Sequence, residues 1–135
     1  IKLDTNGGRP DVLRQLIPLV DYIAMDVKCS LARYTELTDF KAPELVQESV
    51  NLIREKARDY HFRTTVIESF HTDDEMRALG RVIQGARRYV LQPFVPREDV
   101  LNESIRNLPR TTQERLMVLG RLMKPFSESV EVLGQ

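Results

Sequence analysis

Asp21-Tyr22-Ile23-Ala24-Met25-Asp26-Val27-Lys28 is the stretch from which the rest of the chain is read. Val20, Tyr22, Ile23, Met25 and Val27 make an almost unbroken apolar run, the pattern of a parallel strand covered on both faces. Asp26 and Lys28 arrive where that run ends, and alternation along a strand turns their side chains to the same face. In folds built from βα units, ligands gather at the carboxyl ends of strands, so a same-face Asp and Lys there are placed for chemistry. A local ion pair that closes a strand accounts for the same spacing.

Upstream, Ile1-Lys2-Leu3 reads as a short strand that runs into Asp4-Thr5-Asn6-Gly7-Gly8, where the glycines supply the left-handed backbone of a tight turn. Pro10 suits a first helical turn; Val12, Leu13, Leu16 and Ile17 form its stripe, and Pro18 closes it. Downstream, residues 29–41 read as a loop with one helical turn near 30–34. A helix from Pro43 to about residue 58 carries Val46, Val50, Ile53 and Ala57 on one face. Residues 62–67 are rich in β-branched side chains and read as a strand.

Thr72-Asp73-Asp74-Glu75 has the form of a capping box, in which Thr and Glu satisfy each other's orphan backbone donors. The helix it opens turns Met76, Leu79, Val82 and Ile83 inward and stops near Gly85. Tyr89-Val90-Leu91-Gln92 is a strand ended by Pro93. Residues 94–110 form a long connection with a turn of helix near 99–105. Thr111-Thr112-Gln113-Glu114 reads as a second capping box before a stripe of Leu116, Leu119, Gly120 and Met123, and residues 129–133 close the chain as a strand. Alternating strands and helices predict a parallel sheet with right-handed crossovers: an α/β fold, one domain over residues 1–135, whose four βα units, with helices on the outer face, make half of an eight-fold barrel or most of a partial one.

Composition narrows the function classes. The chain has 135 residues, enough for one real core and too few for two. Twenty Lys and Arg balance twenty Asp and Glu, which removes the electrostatic argument for nucleic acid or an anionic membrane. No apolar run approaches a membrane span and no signal-peptide pattern opens the sequence. Cys29 is the single cysteine, which excludes an internal disulfide and fits a reducing cytoplasm. The chain opens at Ile1, already inside a predicted strand, as expected of a piece of a longer protein.

Four of the predicted strands carry polar groups toward their carboxyl ends: Asp4, Thr5 and Asn6 on the first, Asp26 and Lys28 on the second, Arg63, Thr64 and Thr65 within the apolar run of the third, and Gln92 on the fourth. An arginine in a buried strand needs an anionic partner, and Asp4 and Asp26 on neighbouring strands are the candidates. A purely structural Asp–Arg network fits the same residues.

Lys2-Leu3-Asp4-Thr5-Asn6-Gly7, Asp21-Tyr22-Ile23-Ala24-Met25-Asp26-Val27-Lys28, Phe62-Arg63-Thr64-Thr65-Val66 and Tyr89-Val90-Leu91-Gln92-Pro93-Phe94 occur in that order. Over nearly its whole length the chain strongly resembles the radical S-adenosylmethionine enzymes that activate glycyl-radical enzymes. Among them it looks most like the anaerobic ribonucleoside-triphosphate reductase activating proteins. The resemblance implies the carboxyl-terminal part of a partial (βα)6 barrel, of which this chain would supply the third to sixth strands. It also implies S-adenosylmethionine and a 4Fe-4S cluster as cofactors of the full-length protein, and a glycyl-radical enzyme, anaerobic ribonucleotide reductase, as its partner. The family's Cys-x-x-x-Cys-x-x-Cys loop and Gly-Gly-Glu motif are not in this sequence, since Cys29 stands alone and Gly7-Gly8 is followed by Arg9. The fragment by itself is therefore expected to bind neither cofactor and to be inactive.

The same resemblance assigns cofactor-binding roles. Asp4 and Thr5 would lie near the methionyl carboxylate, with or without a monovalent cation. Asp26 and Lys28 would meet the ribose or the carboxylate, and Arg63 the carboxylate or the incoming glycine loop. Leu91, Gln92 and Phe94 would lie beside the adenine. Two other readings stay open: a Schiff-base aldolase barrel with Lys28 as nucleophile, which a neighbouring Asp26 opposes, and a non-catalytic interaction domain.

His61 and His71 flank the third strand with no third ligand at a metal-binding spacing, and read as surface or loop histidines. Lys28 beside Cys29 would favour a reactive thiolate, but a buried, inert thiol is the preferred reading. Met76, Met117 and Met123 fall on helical stripes and read as core. The first strand should pair on one side only, and a barrel cut there should expose apolar side chains on its inner face; both favour association of fragments. Sedimentation across a concentration series should show the chain associating, and a strictly monomeric chain at high concentration would show that the edge is protected.

Overall fold

The computed structural model describes residues 1–96 and 107–134, so the helical turn expected near 99–105 lies outside the described residues. Strands β1 (Lys2–Thr5), β2 (Tyr22–Asp26), β3 (Tyr60–Val66), β4 (Ala86–Pro93) and β5 (Ser127–Val132) form one sheet in the order β1-β2-β3-β4-β5. Every neighbouring pair is parallel. Helices α1 (Pro10–Leu16), α2 (Tyr34–Thr38), α3 (Pro43–Lys56), α4 (Asp73–Ile83) and α5 (Gln113–Leu122) lie between them, with short 3-10 turns at Ile17–Leu19, Leu31–Arg33 and Lys124–Phe126. Parallel strands in sequential order, joined by crossovers of one hand, place every helix on the same side of the sheet. The fold is α/β, a partial barrel with its helices outside.

Register then sorts each strand into two faces. Leu3 pairs with Ile23, Met25 with Phe62, and Phe62 with Tyr89, and these residues pack with Val46, Val50, Ile53, Met76, Leu79, Leu116 and Leu119 into a single core. The opposite face carries Lys2, Tyr22, Asp26, His61, Arg63, Thr65, Arg88, Gln92 and Glu131. The β2 run is thus covered by helices on one face only. Ile23, Met25 and Val27 turn to the helices, while Tyr22, Ala24 and Asp26 line the inner side. The expectation of an apolar inner face is corrected for the same reason, because alternation places most of the polar strand residues there. Among the described residues no strand pairs with the other side of β1, and that edge remains the ground for association.

Local chemistry departs from the sequence reading at both helix caps. Thr72 Oγ1 accepts from Glu75 N at 3.2 Å, as a capping box requires. The Glu75 carboxylate, however, does not reach back to Thr72; it accepts from Ser30 N at 2.6 Å and from Ser30 Oγ at 2.9 Å. At α5 the cap is Thr112, accepting from Arg115 N at 3.2 Å. Thr111 is otherwise engaged: its hydroxyl donates to Val66 O and accepts from Phe94 N. Glu68, from the loop after β3, replaces the expected Glu114 by accepting Thr112 N at 2.8 Å. Met76 and Met123 are buried as expected, whereas Met117 is exposed on the outer face of α5.

Gly80 marks where α4 meets the last crossover. A β-carbon there would sit far inside contact distance of the Phe126 ring, including its inner ring carbon, so the clash cannot be relieved by a flexible tip. Gly80→Ala should destabilise the chain by about 1–3 kcal/mol through overpacking. An unchanged urea midpoint would contradict that.

Candidate functional site

The carboxyl ends of β1, β2 and β3 are joined by charge. Asp26 stands opposite Arg63 in the register of β2 and β3, and Arg63 Nε donates to Asp26 Oδ1 at 2.6 Å. A terminal nitrogen of the same guanidinium reaches Asp4 Oδ1 at 3.3 Å, and Lys28 Nζ lies 3.7 Å from Asp26 Oδ2. The hydrogen bond to Asp26, reinforced by the charges of Asp26 and Asp4, holds the Arg63 guanidinium above its ordinary pKa. Side-chain exposures of 24% for Arg63 and 25% for Asp26 leave this pair accessible from the inner side, and Asp4 and Lys28 are more open still.

Asp4, Asp26, Lys28 and Arg63 are therefore brought together. Gln92 lies on the same face one strand further, its amide donating to Thr65 Oγ1 at 2.8 Å. It lines a hollow of about 360 Å³ with Tyr22, His61, Arg63 and Arg88. Thr5 does not join the cluster: it pairs with Met25 on the helix side, and its hydroxyl accepts Gly7 N at 3.1 Å. Leu91 is wholly buried in the helix-side core and Phe94 is buried beyond the strand, so Gln92 is the member of that trio on the inner face. Lys28 sits against a carboxylate and partly in solvent, unlike the desolvated lysine that Schiff-base chemistry requires.

Beneath this cluster lies a buried layer that sequence reasoning missed. The Lys28 N–H donates to Tyr34 Oη at 3.1 Å, and the Lys28 carbonyl accepts from His71 Nε2 at 2.9 Å. His71 Nδ1 accepts Ile67 N at 2.9 Å, which fixes the neutral tautomer with its proton on Nε2. His71 was read as a surface or loop residue; it is in a loop but fully buried, with burial the main cause of its lowered pKa. Burial pushes the Tyr34 hydroxyl up to about 12. The Cys29 thiol is also pushed to about 12 by burial and by Glu75, which fits the inert reading. The only hint in the sequence was the position of His71 just before a cap; its partner is Lys28, forty-three residues away. Above Tyr34 opens a cavity of about 450 Å³, lined by Asn6, Gly8, Arg9, Lys28, Thr38 and Phe40 among others.

No family model matches the chain. It is similar to a protein of Methanocaldococcus jannaschii named as a glycyl-radical enzyme activating enzyme, 26% identical over 139 residues, covering 98% of this chain and 58% of the relative. It is also similar to the 7-carboxy-7-deazaguanine synthase of Thermococcus kodakarensis, 29% identical over 120 residues, covering 88% of this chain and 45% of the relative. The chain thus spans about half the length of these relatives. Among solved structures it matches a domain of pyruvate-formate lyase-activating enzyme from Bacteroides vulgatus, with a TM-score of 0.72 and 11% identity over 98% of this chain and 80% of that one. That match establishes the fold. No helix among the described residues is long and apolar enough to cross a membrane.

The buried histidine gives the chain a pH dependence. His71 is neutral when folded and its folded pKa lies below the ordinary 6.5, so unfolding takes up a proton as pH falls. Its contribution to stability is present above the unfolded value and is lost as pH falls toward the lower folded value. His61, lowered mainly by burial, acts with the same sign. Urea midpoints measured from pH 7.5 down to 5 should fall, and His71→Gln should flatten the slope. A profile unchanged by that substitution would refute the assignment.

Proposed function

We propose that this chain is part of a radical S-adenosylmethionine activating enzyme, working in a reducing cytoplasm, that installs a glycyl radical on a partner enzyme, anaerobic ribonucleotide reductase. The observation that carries the reading is the Asp4–Arg63–Asp26–Lys28 cluster at the carboxyl ends of a parallel sheet, in a chain similar along 98% of its length to a glycyl-radical enzyme activating enzyme.

The residues present suit S-adenosylmethionine. Arg63 has five donors and gives only part of them to Asp26 and Asp4, leaving others for a carboxylate on the inner side. The half-exposed Lys28 ammonium adds a second cation, and the Asp4 and Asp26 oxygens can accept from ligand hydroxyl or amino groups. When bound and cleaved by one electron, S-adenosylmethionine supplies the 5′-deoxyadenosyl radical that takes a hydrogen atom from the partner's glycine. The chain's own contribution is to hold the carboxylate and hydroxyls in place.

The iron–sulfur cluster does not fit these residues. Among the described residues no three His, Cys, Asp or Glu side chains could hold a metal ion, and Cys29 is buried with a strongly raised pKa. We assign the cluster ligands to residues outside this chain. The similarity to the 7-carboxy-7-deazaguanine synthase favours a second reading, the same cofactor site serving a small-molecule substrate.

The full-length protein, reconstituted anaerobically with iron and sulfide, should release 5′-deoxyadenosine in the presence of a reductant and give a glycyl-radical signal on its partner by electron paramagnetic resonance. Arg63→Met should weaken S-adenosylmethionine binding by about 10–100-fold, the scale of a lost charge-assisted hydrogen bond. A partner left without the radical, with a deazapurine product instead, would favour the synthase reading, and no cofactor cleavage would overturn both.

A further inference from the structure

After β2 the backbone leaves the sheet, its last ladder bond being Val27 N to Arg63 O at 2.9 Å. The next polar groups are taken by side chains. Tyr34 accepts the Lys28 N–H, His71 donates to the Lys28 carbonyl, and Glu75 takes the Ser30 N–H and hydroxyl on its two oxygens. Cys29 and Ser30 are buried, so the Glu75 contacts answer the need to satisfy buried polar groups. Lys28 is different. Its side chain is 41% exposed beside an open cavity, yet its peptide groups are held on both sides by buried side chains from two other segments.

We propose that Tyr34 and His71 are positioning residues for Lys28, fixing its backbone so that the ammonium points at the carboxylate of the bound ligand. The inference rests on the cofactor reading above. A lysine head group on a four-carbon stem loses about 2 kcal/mol of rotamer freedom when held in one place. The direction of its Cα–Cβ bond decides which rotamers reach the site. That direction is set by the two peptide units flanking Lys28, and these are the units that Tyr34 and His71 hold. His71 is itself oriented twice, by Ile67 N on Nδ1 and by an edge-on contact with Phe70 at 5.1 Å between ring centres.

Two substitutions divide the histidine's bonds. In His71→Asn the amide oxygen takes the place of Nδ1 and keeps Ile67, but the reach to Lys28 is lost. In His71→Gln the longer amide can still donate to the Lys28 carbonyl. Binding is measured on the reconstituted full-length protein with S-adenosylmethionine and with its decarboxylated analogue, which lacks the group that Lys28 would read. His71→Asn and Tyr34→Phe should each weaken S-adenosylmethionine binding about tenfold while the analogue binds as to wild type, and His71→Gln should restore most of the loss. Lys28→Met should show the same selective signature. Equal losses for both ligands would make the clamp merely structural, and unchanged affinity would remove it; either overturns the proposal. Should wild type bind S-adenosylmethionine no better than the analogue, neither Lys28 nor Arg63 reads the carboxylate and the proposal falls, while binding of the cofactor itself stands. Should wild type bind neither ligand, it is the cofactor reading that fails, and the proposal with it.

Discussion

Arg63 occupies the point where three strand ends meet, and the inner face is arranged around its charge. One guanidinium reaches Asp26 on the neighbouring strand and Asp4 one strand beyond, so the ends of β1, β2 and β3 share a single cation. Pairs this exposed contribute little to stability, on the order of 0–1 kcal/mol each. What holds these strands in register is the opposite face, where Ile23, Met25, Phe62, Tyr89 and Leu91 are packed beneath the helices. The division of labour is physical. Helix-side burial fixes where the strand ends are, and the inner side is left free to carry charge that stability does not need.

That division explains how much could be read from the residues. Strand order and helix placement were legible because the apolar spacing repeats locally: Met76, Leu79, Val82 and Ile83 reveal the buried stripe of α4 without knowledge of its partner. The meeting of Asp26 with Arg63 was legible for a related reason. Once strands are parallel and sequential, residues near their ends must be neighbours, and an arginine needs an anion. The face of each residue was harder. The β2 run looked covered on both sides because Tyr22 and Ala24 are apolar by type, yet both stand on the polar side, Tyr22 with its hydroxyl 2.7 Å from His61 Nδ1.

The helix caps failed for a different cause. A capping box is a local pattern, and both boxes here were opened by partners far along the chain. Glu75 has a choice between the orphan N–H at its own helix start and the Ser30 peptide, and the structure gives it to Ser30. Thr111 is spent on the ends of β3 and β4, which moves the α5 cap one residue on and leaves Glu68 to complete it. In each case a buried polar group prevailed over a helix end that water can reach. Unpaired buried donors cost about 1–3 kcal/mol, more than an exposed cap forfeits to solvent.

The same ordering of needs places His71, Glu75 and Tyr34 under the exposed cluster. A site that must admit a charged ligand cannot be rigidified from above, because any side chain laid across it would block entry. Rigidity has to come from below, through backbone groups that the ligand never touches. The stretch 28–30 meets this condition: Lys28 is half-exposed at the cavity, and Cys29 and Ser30 after it are buried. Hydrogen bonds to its peptide groups come from side chains that are themselves buried, where they are firmer than the surface ion pairs above them. A neutral histidine suits that layer better than a lysine or arginine would, since it can both accept from Ile67 and donate to Lys28 without burying a charge.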